Sequence, residues 1–525
     1  MTVPNSKLDL ATPKEVDVHL EARVPEFDPT LGIKVSAGAV PKKQRLVAVG
    51  DSLTHGFQSG AIFNTKYSYS AIIAYEMGWS SQFHYPTYDG FGGLPLNIEF
   101  AIRELEERFG STLDWWELPH AYFALRNHLA QAEHWWEYAG GANVPNISYI
   151  LDNLGIYGWD LRDALSVTAD VCRKRITSPK DSFFLPLIAN ANDRAAQRVL
   201  PVAQENGNLS TIGSAKKLSD TSGGIETLIV MLGANNALGT VTQLKVSWSQ
   251  DSDYSSLDQK SKYTIWNPKH FQAELDEVEK RIHEIDASHV IWATVPHVTI
   301  APVARGVAQK VEKGSRYFPY YTRPWISDSQ FDPNDDPNIT ENQARAIDSA
   351  IDQYNDMITA VVRRARTGST QVPPKAWYLF DMAGLLDRLA CRRYVEDIAA
   401  RPEWWSKYEL PPELMALDPV PDSRFFTSSE QGRTAGGLFS LDGIHPTTIA
   451  YGIVAQELIN IMHTAGVPFV LGDGETPRNG PVRVDFNRLI AADTLISNPP
   501  KSLKSDLKLI GWMDESIDLM KRMLW

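Results

Sequence analysis

The chain has 525 residues, 43% of them hydrophobic and 22% charged, a composition that folds and excludes disorder as the main state. Its 51 lysines and arginines stand against 64 aspartates and glutamates, and the net charge of −13 repels polyphosphates, so nucleic acid is excluded as an expected partner. Two cysteines, Cys172 and Cys391, supply neither a disulfide framework nor a cysteine-based metal site.

In chain order, residues 1–45 read as an N-terminal arm. Met1 to Glu26 mixes acidic and basic residues without an apolar run, so it does not read as a secretory signal, and the expectation is a cytoplasmic protein. No stretch of 18 or more apolar residues predicts a membrane span. From residue 46 onward, short apolar segments rich in β-branched residues alternate with helical patterns: strands are predicted at Leu46 to Val49, Ile147 to Asn153, Leu228 to Leu232, Val290 to Val295 and Trp377 to Phe380. Long helices are predicted at His270 to Ile285, Glu341 to Arg364 and Thr448 to His463. The alternation predicts an α/β fold: three layers, α/β/α, around a five-stranded, mostly parallel sheet. In such a sheet a ligand sits beyond the carboxyl ends of the strands, so the residues just after each strand are the candidates for chemistry.

After the first strand comes Gly50-Asp51-Ser52-Leu53-Thr54, which puts a serine hydroxyl on a strand-to-helix turn, where a helix N-terminus favours developing negative charge. Taken alone, Ser52 serves equally well as a helix cap. The nucleophile signature G-x-S-x-G is absent from the whole chain. After the second strand, Gly158 in Tyr157-Gly158-Trp159-Asp160 lets the backbone aim an N–H at a ligand, or simply makes a turn. After the third, Asn235 in Gly233-Ala234-Asn235-Asn236 offers a side-chain amide to an oxyanion, or serves as a turn residue. The most specific segment is Ser440-Leu441-Asp442-Gly443-Ile444-His445-Pro446. An acid three residues before an imidazole, with glycine between and proline behind, brings both side chains into one cleft with the acid orienting the ring.

Together these segments resemble the SGNH or GDSL family of hydrolases, whose blocks supply in order a serine, a glycine, an asparagine, and an aspartate with a histidine. The likeness covers the sheet core, under half of the chain. Val295-Pro296 is similar to the family's variable fourth block, whereas Asn236 stands where aspartate is common, and bulky Tyr157 and Trp159 flank Gly158. The resemblance implies a flavodoxin-like sheet and serine-dependent hydrolysis of carboxylic esters, of esterase or lipase type. Ser52 is then the nucleophile, His445 its base and Asp442 the acid that orients the base. The oxyanion is met by the backbone N–H groups of Ser52 and Gly158 and by the Asn235 amide. Asp51, Trp159, Asn236 and His297, which ends the fourth strand, are further candidate substrate contacts. Two rival readings stay open: an acyltransferase on the same triad, and a non-catalytic carbohydrate- or lipid-binding module with a vestigial site.

No cofactor and no metal are expected. H-E-x-x-H is absent, and His283 and His289 lie six apart, off the i, i+4 face that a zinc helix needs. His55, His120, His128 and His134 read as packed or surface residues. Asp332 to Asn338 alternates oxygen donors, but Pro337 replaces the glycine and Gln343 the closing glutamate of a calcium loop, leaving a proline-aspartate turn.

The core runs from 46 to 466, and its excess length falls into insertions at about 80–144, 175–224, 301–340 and 385–437. The first carries Trp115-Trp116 and Trp135-Trp136 with Tyr138, and the last carries Trp404-Trp405. These aromatic residues suit a packed core, or, in a lid, an acyl chain or a stacked sugar. The partner expected is a small-molecule ester, including a lipid. The tail, 467–525, ends in an apolar stripe of Leu503, Leu507, Ile510, Met513, Ile517, Met520 and Leu524 among lysines, which predicts an amphipathic helix docked on the globule, resting on a lipid surface or making an oligomer contact.

Overall fold

The computed structural model describes residues 4–35, 42–110, 116–145, 147–176, 186–201, 208–254, 257–473, 475–501 and 511. Five strands form the central sheet: β1 (Gln44–Gly50), β2 (Asn153–Gly155), β3 (Ile225–Met231), β4 (Ala287–Ala293) and β5 (Trp377–Phe380). They lie in the order β5-β4-β3-β1-β2, and every pairing is parallel.

Successive side chains of a strand point to opposite faces, and here each face meets its own helices. Val47 and Val49 of β1 join one core, which they share with Phe271, Leu275 and Val278 of α4 (Pro268–His283) and Ile347, Ile351 and Tyr354 of α5 (Glu341–Thr367). Leu46 and Ala48 join the other, with Ile72 and Ile73 of α2 (Tyr69–Glu76) and Ile453, Leu458 and Met462 of α7 (Thr448–Thr464). Because both faces are covered, the strands read as apolar runs; all seven residues of β3 are buried. The same covering explains why four of the five predicted strands fall within three residues of where the sheet has them.

The exception is β2, predicted over Ile147 to Asn153 but paired with β1 only through Asn153, Leu154 and Gly155. The backbone N–H groups of Asp152 and Asn153 both donate to the His84 carbonyl, at 2.9 and 3.1 Å, so the approach to the strand is tied to an insertion and pairing begins late. The apolar residues that suggested a strand, Ile150 and Leu151, are buried in that approach.

The N-terminal arm runs along the β5 edge, where Leu379 N–H donates to the Pro29 carbonyl at 3.0 Å and Arg23 pairs with Asp381 at 2.9 Å. Of the stretch 175–224, α3 (Thr211–Ser222) puts Ile212 and Ala215 into the sheet core and so belongs to its cover. The 301–340 stretch forms a small antiparallel sheet of Arg305–Gly306, Tyr320–Thr322 and Ile339–Thr340. The apolar stripe from Leu503 to Leu524 lies outside the described residues, as does Trp115. Among the described residues no helix is long and apolar enough to cross a membrane.

Candidate active site

The strand order reverses at β1, which has β2 on one side and β3 on the other, so a crevice opens beyond its carboxyl end. The chain leaves β1 at Gly50 and turns at Asp51, whose side chain accepts the Leu53 N–H at 3.0 Å and caps α1 (Ser52–His55). Capping by Asp51 frees the Ser52 hydroxyl from that task. Gly155 of β2 packs against this single turn of helix, and a Cβ there would run into the Thr54 and His55 backbone.

The Ser440–Pro446 segment folds on its own aspartate. Asp442 Oδ1 accepts the N–H groups of Ile444 and His445 at 2.8 and 2.9 Å, and Gly443 takes φ +67°, a backbone conformation open to glycine at little cost. Asp442 Oδ2 is left to meet His445 Nδ1 at 2.9 Å, and His445 Nε2 lies 2.8 Å from Ser52 Oγ. The turn that follows α1 is stitched to the same loop: Gly60 N–H donates to Asp442 Oδ2 at 2.9 Å and Ser59 N–H to Ser440 Oγ at 2.8 Å. Ser52, His445 and Asp442 thus sit in one hydrogen-bonded unit and are 4%, 1% and 3% exposed. The Phe57 ring lies against the imidazole at 4.4 Å between centroids.

Burial works against the charge on Asp442, but the His445 imidazole and the hydrogen bonds from His445 and Ile444 outweigh it and hold the carboxyl below its usual 3.8. Asp51 goes the other way: burial drives its pKa up to about 7 against the Leu53 hydrogen bond and the nearby imidazole.

Compared with protein-family models, curated proteins and solved structures, the chain matches none.

Gly158 and Asn235 come to the same strand ends as Ser52. Gly158 has φ +72°, and its neighbours are held in place. Tyr157 N–H donates to His55 Nδ1 at 3.1 Å, the Gly158 carbonyl accepts from Lys260 at 3.0 Å, and the Trp159 carbonyl accepts from the Asn235 amide at 2.9 Å. Among the described residues, the N–H groups of Ser52 and Gly158 donate to no protein acceptor. One hydrogen of the Asn235 amide is taken by Trp159 and the other is left over. In the site, then, three donors remain uncommitted.

His55 is a supporting residue that sequence reasoning placed only among packed histidines. Because its Nδ1 accepts from Tyr157 N–H and Tyr88 Oη donates to the Ala195 carbonyl, Nε2 carries the ring proton and donates to Tyr88 Oη at 2.7 Å. Burial lowers its pKa to about 3, so the ring stays neutral and the loop bearing Gly158 stays anchored. Gly60 and Ser59 were likewise unmarked by any motif.

A cavity of about 110 Å³ opens beside the triad, with Ser52 and His445 in its wall. The rest of the wall is chiefly aliphatic, from Leu385, Leu386 and Leu389 of α6 (Met382–Leu389) and its continuation, and Ile453 and Val454 of α7. His297 lines it too, fully buried, with Nε2 at 2.9 Å from Asp352 and Nδ1 at 3.5 Å from Asp387. Burial opposes the imidazolium, but Asp352, Asp348 and Asp387 outweigh it and raise its pKa to about 10. Trp159 and Asn236 do not line this cavity. The Trp159 ring is buried in the sheet core and donates through Nε1 to Asn192 at 3.1 Å. Asn236 is buried behind Asn235, its carbonyl accepting from Trp266 N–H at 2.8 Å. No residue of the 80–144 insertion lines the cavity, and Trp136 packs instead into a cluster with Phe57, Tyr88 and Tyr157. Among the described residues no cluster of metal-ligating side chains occurs.

Proposed function

We propose that this protein is a serine-dependent carboxylic ester hydrolase of the SGNH or GDSL type, on a sheet whose 2-1-3-4-5 order is that of flavodoxin-like folds. One observation carries the reading: the continuous hydrogen-bonded line Asp442 Oδ2, His445 Nδ1, His445 Nε2, Ser52 Oγ, at 2.9 and 2.8 Å, opening on a cavity.

In this mechanism His445 Nε2 takes the hydroxyl proton as Ser52 Oγ bonds to the ester carbonyl carbon. The carbonyl oxygen becomes an oxyanion, met by the N–H groups of Ser52 and Gly158 and the spare hydrogen of the Asn235 amide. When the tetrahedral intermediate collapses, the C–O bond to the alcohol breaks and His445 returns the proton to the leaving oxygen. A water activated by the same imidazole then cleaves the acyl-serine. Asp442, kept ionised, holds the imidazole with Nε2 toward Ser52 and stabilises its cationic form.

The test is labelling with a serine-directed fluorophosphonate, read by peptide mass spectrometry alongside hydrolysis of p-nitrophenyl esters. Label on Ser52 together with turnover is the expected result; an unlabelled Ser52 in a protein without turnover leaves the vestigial binding module as the reading. Within the oxyanion site, Asn235→Ala is expected to lower kcat by about 100- to 1000-fold, the usual cost of one such donor. A kcat within threefold of wild type in a steady-state assay would remove Asn235 from the mechanism.

A further inference from the structure

The aromatic insertions left two substrates open, an aliphatic chain and a sugar ring, and the cavity beside Ser52 separates them. We infer that it holds a flexible aliphatic chain of the ester, and that esters of short acids with carbohydrates are poor substrates. The inference rests on the proposed hydrolase reading and specifies its substrate.

A sugar needs hydrogen-bond partners for its hydroxyls and, commonly, an aromatic face to lie on. Apart from Ser52 and His445, the polar side chains in the wall are Ser423 and His297. The Ser423 hydroxyl is engaged on both sides: Oγ accepts the Cys391 N–H at 2.8 Å and donates its proton to the Leu389 carbonyl at 2.8 Å. His297 is committed through Nε2 to Asp352, and its Nδ1 faces Asp387 at 3.5 Å without a hydrogen bond. One aromatic ring, Phe439, lines the cavity, among leucine, isoleucine and valine side chains from α6 and α7. A hydroxyl placed against these aliphatic side chains loses its water without replacement, whereas each methylene buried there adds about fourfold to binding. The wall includes Ser52 and His445 themselves beside the leucines of α6 and the isoleucine and valine of α7. The part of the substrate it holds is therefore the part covalently next to the carbonyl that Ser52 attacks.

Two sources supply such a chain, the acid and the alcohol, and two series of substrates tell them apart. p-Nitrophenyl esters from acetate to octanoate vary the acyl side, and alkyl acetates from ethyl to octyl vary the alcohol side. kcat/KM is expected to climb about tenfold or more along one series and to exceed that for acetylated sugars. Leu386→Trp, which puts an indole into the cavity from a half-buried position, is expected to cut that slope by about tenfold. Should the variant fail to fold, the wild-type series are read by themselves. Turnover through Ser52 with both series flat, or with acetylated sugars preferred, overturns the inference and leaves the hydrolase reading standing. Absence of turnover on every ester, with Ser52 unlabelled, brings down both.

Discussion

Ser52→Ala is expected to reduce ester hydrolysis by about a million-fold in kcat while the unfolding transition hardly moves. The size of the loss follows from the unit to which the hydroxyl belongs. His445 and Asp442 act only by moving and stabilising the Ser52 proton, so without Oγ the remainder is whatever the oxyanion donors and the cavity achieve alone. The fold is spared because Oγ makes one hydrogen bond, to His445, and the cap of α1 belongs to Asp51. Its removal costs about 1 kcal/mol. Initial-rate assays and urea denaturation of both proteins check the two halves; a variant that retains more than a few per cent of wild-type kcat is incompatible with Ser52 as nucleophile.

Asp442→Asn is expected to lower kcat by about ten-thousand-fold and, unlike the serine variant, to destabilise the fold. Oδ1 accepts the Ile444 and His445 N–H groups, and Oδ2 accepts Gly60 N–H and faces His445 Nδ1. Every backbone neighbour is a donor, so an amide NH₂ in either position meets a donor head-on. If it lies toward Nδ1 it also reverses the imidazole tautomer and turns the lone pair away from Ser52. One buried donor left without an acceptor costs about 1–3 kcal/mol, which urea denaturation resolves.

The pH dependence has a definite sign. Because the folded carboxyl lies below its ordinary 3.8, the folded state binds fewer protons than the unfolded one as Asp442 titrates. Its contribution to stability is present above that ordinary value and disappears as pH falls through the lower, folded one. Asp442→Asn is therefore expected to lose stability least, relative to wild type, in acid. A penalty that stays the same from neutral pH down through the carboxylate range counts against the ionised acid.

What was legible in the sequence was what burial and covalent spacing write locally. β1, β3, β4 and β5 are covered on both faces and left apolar runs. Asp442 and His445 are three residues apart, and the turn that joins them is closed by the Asp442 carboxylate, which accepts the His445 N–H. β2 was misplaced because its pairing is decided at a distance, by His84, and because its first residue, Asn153, is a buried polar side chain that donates to the Thr54 carbonyl at 2.7 Å. Nothing in an apolar pattern marks such a residue as strand. The supports of the site were hidden for the same reason: Gly60 reaches Asp442 and His55 reaches Tyr157 across folds of the chain that no local motif records. His297 was legible as a residue near the cleft, but its flanking carboxylates on α5 and α6 were not.

The two ends of the Ser52–His445 hydrogen bond lie 393 residues apart. During synthesis Ser52 therefore leaves the ribosome long before His445 has been made, and without an imidazole beside it the chain carries an ordinary, unreactive serine. On the proposed mechanism, reactivity toward esters is the last property the chain acquires, once the loop at Asp442 has docked on the turn at Gly60. The same proposal expects a nascent or truncated chain that ends before that loop to be inert toward esters.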